Sequence, residues 1–283
     1  MKTKLLLTLL AFIVVATNAQ VTKLNSNRSL STAFPLGSNK TILVSGVDST
    51  LWITDGSTGG TFQLNSSIFY KGDGAILNGK VIFKGRDAAN GIELFITDGT
   101  IAGTGLVKDI YTGPTSSIPD DDMVLLNGNV YFTAVTAAAG RELWKTNGTE
   151  AGTTMVKDIV PGTEGSNIAG DYSLSSNGSY LLFSAKTPTS GIELWKSDGT
   201  DAGTILLKDI NPGAPSSDAN SFFKYNNIVL FQAKDAANGT EIWKTDGTTA
   251  GTVLLKNINA VGNSTSLLGN YFFYIFNGRV YFN

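Results

Sequence analysis

Carboxylates have the strongest claim to chemistry in this sequence. Glu93, Glu142, Glu193 and Glu241 recur at one place in a repeated block. Two such groups flanking a glycosidic bond can act as acid and base, or as acid and nucleophile. A second series, Asp55, Asp98, Asn147, Asp198 and Asp246, lies in loops of the Asp-Gly-Thr type. Such loops invite a calcium reading, but calcium takes about six to eight oxygens. Only one acidic position recurs from loop to loop, and Asn147 fills it once. The series is therefore read as Asx turns, with the next glycine taking positive φ. No metal and no cofactor are expected.

The Glu series also has a plain structural reading. Lys108, Lys157, Lys208 and Lys256 stand in the strand that follows each Glu strand. Cross-strand Glu–Lys pairs would contribute about 0.2–1 kcal/mol each. Glutamates at equivalent places in successive blades would also stand well apart, which does not suit a glycosidase pair. The densest acidic run, Asp120-Asp121-Asp122 after Pro119, is read as a solvated loop guarding a sheet edge.

Other chemistries are closed off by composition. The chain has 283 residues with no Cys and no His. That removes thiolate and imidazole catalysis, Cys/His zinc sites and disulfides. A net charge of -2 and the lack of any Lys/Arg run argue against a nucleic-acid binder with a basic face.

The elements that must carry these residues come from an internal repeat. The aromatics Trp52, Phe95, Trp144, Trp195 and Trp243 each precede an Asp-Gly-Thr-like loop, with spacings of 43, 49, 51 and 48. A second Gly-Thr follows at a fixed offset, from Gly60-Thr61 to Gly251-Thr252. Within a unit, Asn127-Gly128 marks a tight turn before Val130–Ala134, and Glu142–Thr146 and Thr153–Ile159 follow as strands. Four short strands per unit is the content of one propeller blade, and no stretch after residue 19 keeps a helical period. The expected fold is all-β: a β-propeller of four-stranded antiparallel blades, with five units and part of a sixth. Blades are expected near 30–65, 66–114, 115–162, 163–213 and 214–262, with a partial blade at 263–283. Ring closure is left open. The aromatic and its Leu or Ile neighbour should fill the layers on the two sides of each blade. A sugar-stacking platform is the alternative for the aromatics.

Met1–Ala19 has two lysines, an apolar run and a small-residue cleavage pattern, so it is expected to be a signal peptide. The mature domain is then 20–283, secreted or at the cell surface, with no membrane span. Turns between the second and third strands vary from blade to blade, and specificity is expected there. The candidates are Arg86, Asp87, Arg141, Lys186, Lys234 and Asp235.

The string Glu193-Leu-Trp-Lys-Ser-Asp-Gly-Thr-Asp-Ala-Gly-Thr-Ile-Leu-Leu-Lys-Asp-Ile-Asn-Pro-Gly213 resembles the ELWxxDGT repeat family of exported bacterial proteins. The resemblance spans 41–283. It implies propeller-like repeats and export, often by type IX secretion. The C-terminal sorting domain common in that family is lacking, and the sequence stops inside an expected blade, so a fragment or incomplete gene product is expected. The functional expectation is a non-catalytic binding or scaffold module for a glycan, a protein or another surface component. Alternatives are a polysaccharide hydrolase or lyase using channel carboxylates, and a structural segment of a longer adhesin.

Overall fold

The computed structural model describes residues 29–117, 123–168, 174–258 and 273–282. The expected signal peptide and Asp120–Asp122 lie outside the described residues. Those described form strands and turns with no helix, so among them no helix is long and apolar enough to cross a membrane. The fold is all-β, with the four-stranded antiparallel blades of a β-propeller. The chain divides into two compact units, one up to Ser116 and one from Ser117.

The first unit is one antiparallel meander of seven strands in chain order. They are β1 (Leu30–Leu36), β2 (Lys40–Ser45), β3 (Thr50–Thr54), β4 (Phe62–Leu77), β5 (Lys80–Asp87), β6 (Gly91–Thr97) and β7 (Gly105–Lys108). The first two blades share β4. Its first half pairs with β3, and its second half pairs with β5. The expected boundary at 65/66 therefore falls inside a continuous strand. Phe69 pairs with both neighbours, and a break in register between Tyr70 and Gly74, with Gly72 and Asp73 at φ 108 and 44, interrupts the pairing with β5. Ile42, Leu51, Val81, Phe83 and Phe95 form its core.

The second unit holds three four-stranded sheets and a hairpin. The third blade comprises β8 (Val124–Leu126), β9 (Asn129–Thr136), β10 (Gly140–Thr146) and β11 (Thr154–Lys157). The fourth has β12 (Leu174–Ser176), β13 (Leu181–Thr187), β14 (Gly191–Ser197) and β15 (Ile205–Lys208). The fifth has β16 (Asn220–Tyr225), β17 (Ile228–Asp235), β18 (Gly239–Thr245) and β19 (Val253–Lys256). A hairpin of β20 (Tyr274–Phe276) and β21 (Arg279–Tyr281) follows. The Asn-Gly turns behave as their type requires: Asn127 and Gly128 take φ 48 and 73, the primed geometry that suits the twist of the flanking strands.

Alternation along the third strand of each blade builds the layers between blades. Leu143 points to the layer that holds Trp195 and Phe183, and Leu194 to the layer that holds Trp243 and Phe231. The large aromatics are core residues: Phe95 is fully buried, and Trp144, Trp195 and Trp243 are buried. Trp52 is half-buried, as suits the divergent first blade. Each aromatic stands opposite a phenylalanine of the second strand from the second blade on, as in the stacked pair Phe183–Trp195 at 6.5 Å. The indole N–H groups of Trp144, Trp195 and Trp243 are buried without a protein acceptor. That of Trp52 donates to Thr50 Oγ1 at 3.1 Å, where later blades carry Glu.

Candidate functional site

Each blade has two ends. Turns between strands one and two, and the Asp-Gly-Thr loops between strands three and four, share one end. Turns between strands two and three share the other with the linkers that enter the next blade.

The loop end is a closed hydrogen-bond network repeated five times. Asp98 Oδ1 accepts from the Thr100 N–H at 2.9 Å and the Thr100 hydroxyl at 2.7 Å. Thr100 Oγ1 accepts from the Gly103 N–H, and Thr104 Oγ1 donates to the Thr100 carbonyl. Thr97 and Thr104 join hydroxyls at 2.6 Å. Asp55, Asn147, Asp198 and Asp246 repeat the arrangement with Ser57, Thr149, Thr200 and Thr248. The second glycine is required because the Asp or Asn head occupies the place of its side chain. A Cβ on Gly203 would lie 2.1 Å from Asp198 Oδ1. Asn147 makes the same bonds as its aspartate counterparts, so the loop needs an acceptor and not a charge. The donors that face Asp198, led by the Thr200 hydroxyl, hold its carboxyl below the usual range; the hydroxyls of Ser57, Thr100 and Thr248 do the same for Asp55, Asp98 and Asp246. Among the described residues no cluster of three acidic groups could hold a metal ion.

In the third and fourth blades, lysine at the position after the aromatic reaches the loop of the next blade. Lys145 Nζ donates to the Gly199 carbonyl and Lys196 Nζ to the Gly247 carbonyl, both at 2.9 Å. The Tyr131 and Tyr180 rings lie against the same glycines, whose φ values are 90 and 86. The lysine of the repeat is thus a latch from one blade to the next, which its place in the sequence does not disclose.

Buried carboxylates mark the linker end. Glu93, Glu142, Glu193 and Glu241 are all fully buried. The expected Glu–Lys pairing is corrected at two blades. Lys157 reaches Asp201 at 3.1 Å and Lys208 reaches the Thr252 carbonyl at 2.6 Å, both in the following blade. The glutamates bind the linkers instead. Glu142 accepts from the Val160 N–H at 3.2 Å, the Ser166 N–H at 2.9 Å and the Ser166 hydroxyl at 2.6 Å. Glu193 accepts from the Ile210 N–H at 2.7 Å and the Ser217 N–H at 2.8 Å. Ser166 and Ser217 then accept from the Lys186 and Lys234 N–H groups at 2.6 and 2.8 Å, in the second strand of the next blade. Glu93 follows the same rule with Ile110 and Tyr111. Desolvation raises the Glu142 carboxyl. It pushes Glu193 up to about 7, against the hydrogen bonds and with the help of Asp209.

The variable candidates separate by role. Asp87 accepts from the Ala89 and Asn90 backbone N–H groups and the Asn90 side chain; Asp235 does so with Ala237 and Asn238. Both shape turns. Arg141 is half-buried and reaches the Ile168 carbonyl at 3.4 Å. Arg86, Lys186 and Lys234 are exposed, each at the next-to-last position of its strand. In the second unit the linker end thus gathers Arg141, Lys186 and Lys234 on three consecutive blades. Arg86 and Asp87 belong to the first unit. Along the inner strands of the second unit runs an open groove of about 560 Å³, lined by residues that include Leu125, Leu174, Ser175 and Lys224. Among the described residues, Lys224 is the only charged one in that lining.

No family model matches this chain, and no curated protein matches it. Among solved structures it is similar to the β-propeller domain of the Trilobed protease from Pyrococcus furiosus, a domain described as having an open velcro topology. The identity is 14%, over 82% of this chain and 70% of that one, with a TM-score of 0.44. A putative TolB from Agrobacterium tumefaciens is similar at 13% identity, over 82% of each chain, with a TM-score of 0.41. Likeness of this degree says nothing about activity.

Proposed function

We propose that this chain is an exported, non-catalytic binding module that works at the cell surface or in the medium. One observation carries the reading: both repeated carboxylate series are committed to holding the fold. The loop aspartates are tied up within their own turns. The linker-end glutamates are buried, and three of them are bonded to linker N–H groups. Three variable side chains at the linker end of the second unit, Arg141, Lys186 and Lys234, are cationic, while Asp235 is bonded within its own turn, so the ligand is one that carries acidic groups, with an acidic glycan the first to test. Exposed ammonium groups give weak, salt-sensitive contacts one at a time, and a row of them gives useful affinity to a polyanion.

The test is retention of the purified chain on immobilised acidic and neutral polysaccharides. Retention on the acidic series alone is expected, falling as salt rises and lost in the double variant Lys186→Ala, Lys234→Ala. Release of reducing ends or unsaturated sugars from any polysaccharide would overturn the non-catalytic reading. Equal retention by the double variant would overturn the site.

A further inference from the structure

The cations at the linker end belong to one cross-strand pair in each blade. Arg86 stands opposite Ile92, Val135 opposite Arg141, Lys186 opposite Ile192 and Lys234 opposite Thr240. Every one of these pairs carries a single cation, and in the third blade it has moved from strand two to strand three. A packing role would tie the residue to one place. A charge wanted at this end of the blade can come from either strand.

In the second unit the linkers join these pairs by backbone bonds. The Ser166 N–H donates to the Arg141 carbonyl at 3.0 Å, and the Ser166 carbonyl accepts from the Lys186 N–H at 2.6 Å. The Ser217 N–H donates to the Ile192 carbonyl at 2.9 Å, and the Ser217 carbonyl accepts from the Lys234 N–H at 2.8 Å. A continuous backbone path thus runs from Arg141 through Ser166 to Lys186, across to Ile192, and through Ser217 to Lys234. Both serines are buried. Each is gripped from behind by the glutamate of the preceding blade: Glu142 takes the Ser166 N–H and hydroxyl, and Glu193 takes the Ser217 N–H. There is little slack, since a Cβ on Gly165 would lie 2.3 Å from the Arg141 nitrogen.

We propose that Ser166 and Ser217 are positioning residues for the acidic-ligand site, each fixing the spacing between the charged pairs of two neighbouring blades. The inference rests on the ligand reading above and adds to it what lets the row act as one. Cations held at set distances engage a single polyanion together, and that gain falls away when their separation drifts. Lysine side chains are flexible, so the fixed part of the geometry is the backbone from which they start. That backbone is what the serines hold.

A double-mutant cycle, read as affinity of the full chain for an immobilised acidic polysaccharide, tests it. Ser217→Ala should weaken binding about fivefold in the unsubstituted chain, and less than about twofold once Lys234→Ala is present. Glu193→Gln, which loosens Ser217 without replacing it, should show the same dependence on Lys234. Thr252→Ala removes a buried hydroxyl at the loop end of the same blade and should leave binding unchanged. Without ligand, hydrogen exchange at the Lys234 amide should quicken in Ser217→Ala. Equal losses with and without Lys234, a loss of the same size in Thr252→Ala, or unchanged exchange at Lys234 overturns the positioning role while the ligand reading stands. An unsubstituted chain that acidic polysaccharide does not retain overturns the ligand reading, and the positioning role with it.

Discussion

The two ends of a blade use carboxylates in opposite ways. At the loop end Asp55, Asp98, Asp198 and Asp246 are exposed, and hydroxyl and amide donors hold them ionised. At the linker end Glu142 and Glu193 are buried, and desolvation favours their protonated form even though amides and a hydroxyl bind them. A loop that is nearly invariant across blades needs only a local acceptor. A linker that changes from blade to blade needs a long arm that reaches backbone N–H groups whatever the side chains there. The difference teaches that a repeated acidic residue can be wholly structural at either end of one strand. Any chemistry aimed at a ligand must be sought in residues that break the repeat.

The contrast can be broken hardest at the linker end. Gly140 takes φ 59, and a Cβ there would meet the Gly165 nitrogen at 2.5 Å. Gly140→Ala should lower stability in urea unfolding by about 3 kcal/mol or more, from left-handed strain and overpacking together. Gly105→Ala, where a Cβ meets nothing within 4 Å, should be nearly silent. Next comes Glu142→Ala, which strands the Val160 and Ser166 donors at a cost of about 2–4 kcal/mol.

The acid–base contrast is sharpened by pH. Glu193 is raised to about 7 in the folded chain from an ordinary 4.5. Its stabilising contribution is therefore fully present below the unfolded value and is lost as pH rises through 7. Melting temperature should fall from pH 5 to pH 8, and Glu193→Gln should flatten that slope. Asp198 has the opposite sign, its contribution being lost only as pH drops below 3.8. The smallest effects belong to the loop end. Asp198→Ala should cost about 1 kcal/mol in an exposed turn. Asp198→Asn should change almost nothing, since Asn147 already serves in the third blade.

Much of this architecture is legible in the residues. Strand alternation, the Asn-Gly turns and the Leu-Trp pairs carry the blade, and the Asp-Gly-Thr spacing carries a local network. The linker-end contacts are not legible because they join residues far apart in chains of differing sequence. Glu142 meets Ser166 across 24 positions, and nothing near either residue names the other. The same limit hid the lysine latches, which span 54 and 51 positions. Of the variable candidates, Asp87 and Asp235 drew notice for their charge. Their carboxylates close turns, a role that the Asp-Ala-Ala-Asn-Gly string was enough to reveal. The run of β4 through two blades was also hidden, because the first blade lacks the Lys-Asp-Ile ending that closes the others.

The lysine latches give the array a polarity. Lys145 and Lys196 each reach forward, never back, to a carbonyl in the loop of the succeeding blade. A gene for such a protein can grow by copying units like the fourth in tandem, since that unit carries both its own hook, Lys196, and its own eye, the Gly199 carbonyl. Inverting one unit, or splicing midway between hook and eye, leaves an ammonium and a carbonyl facing strangers.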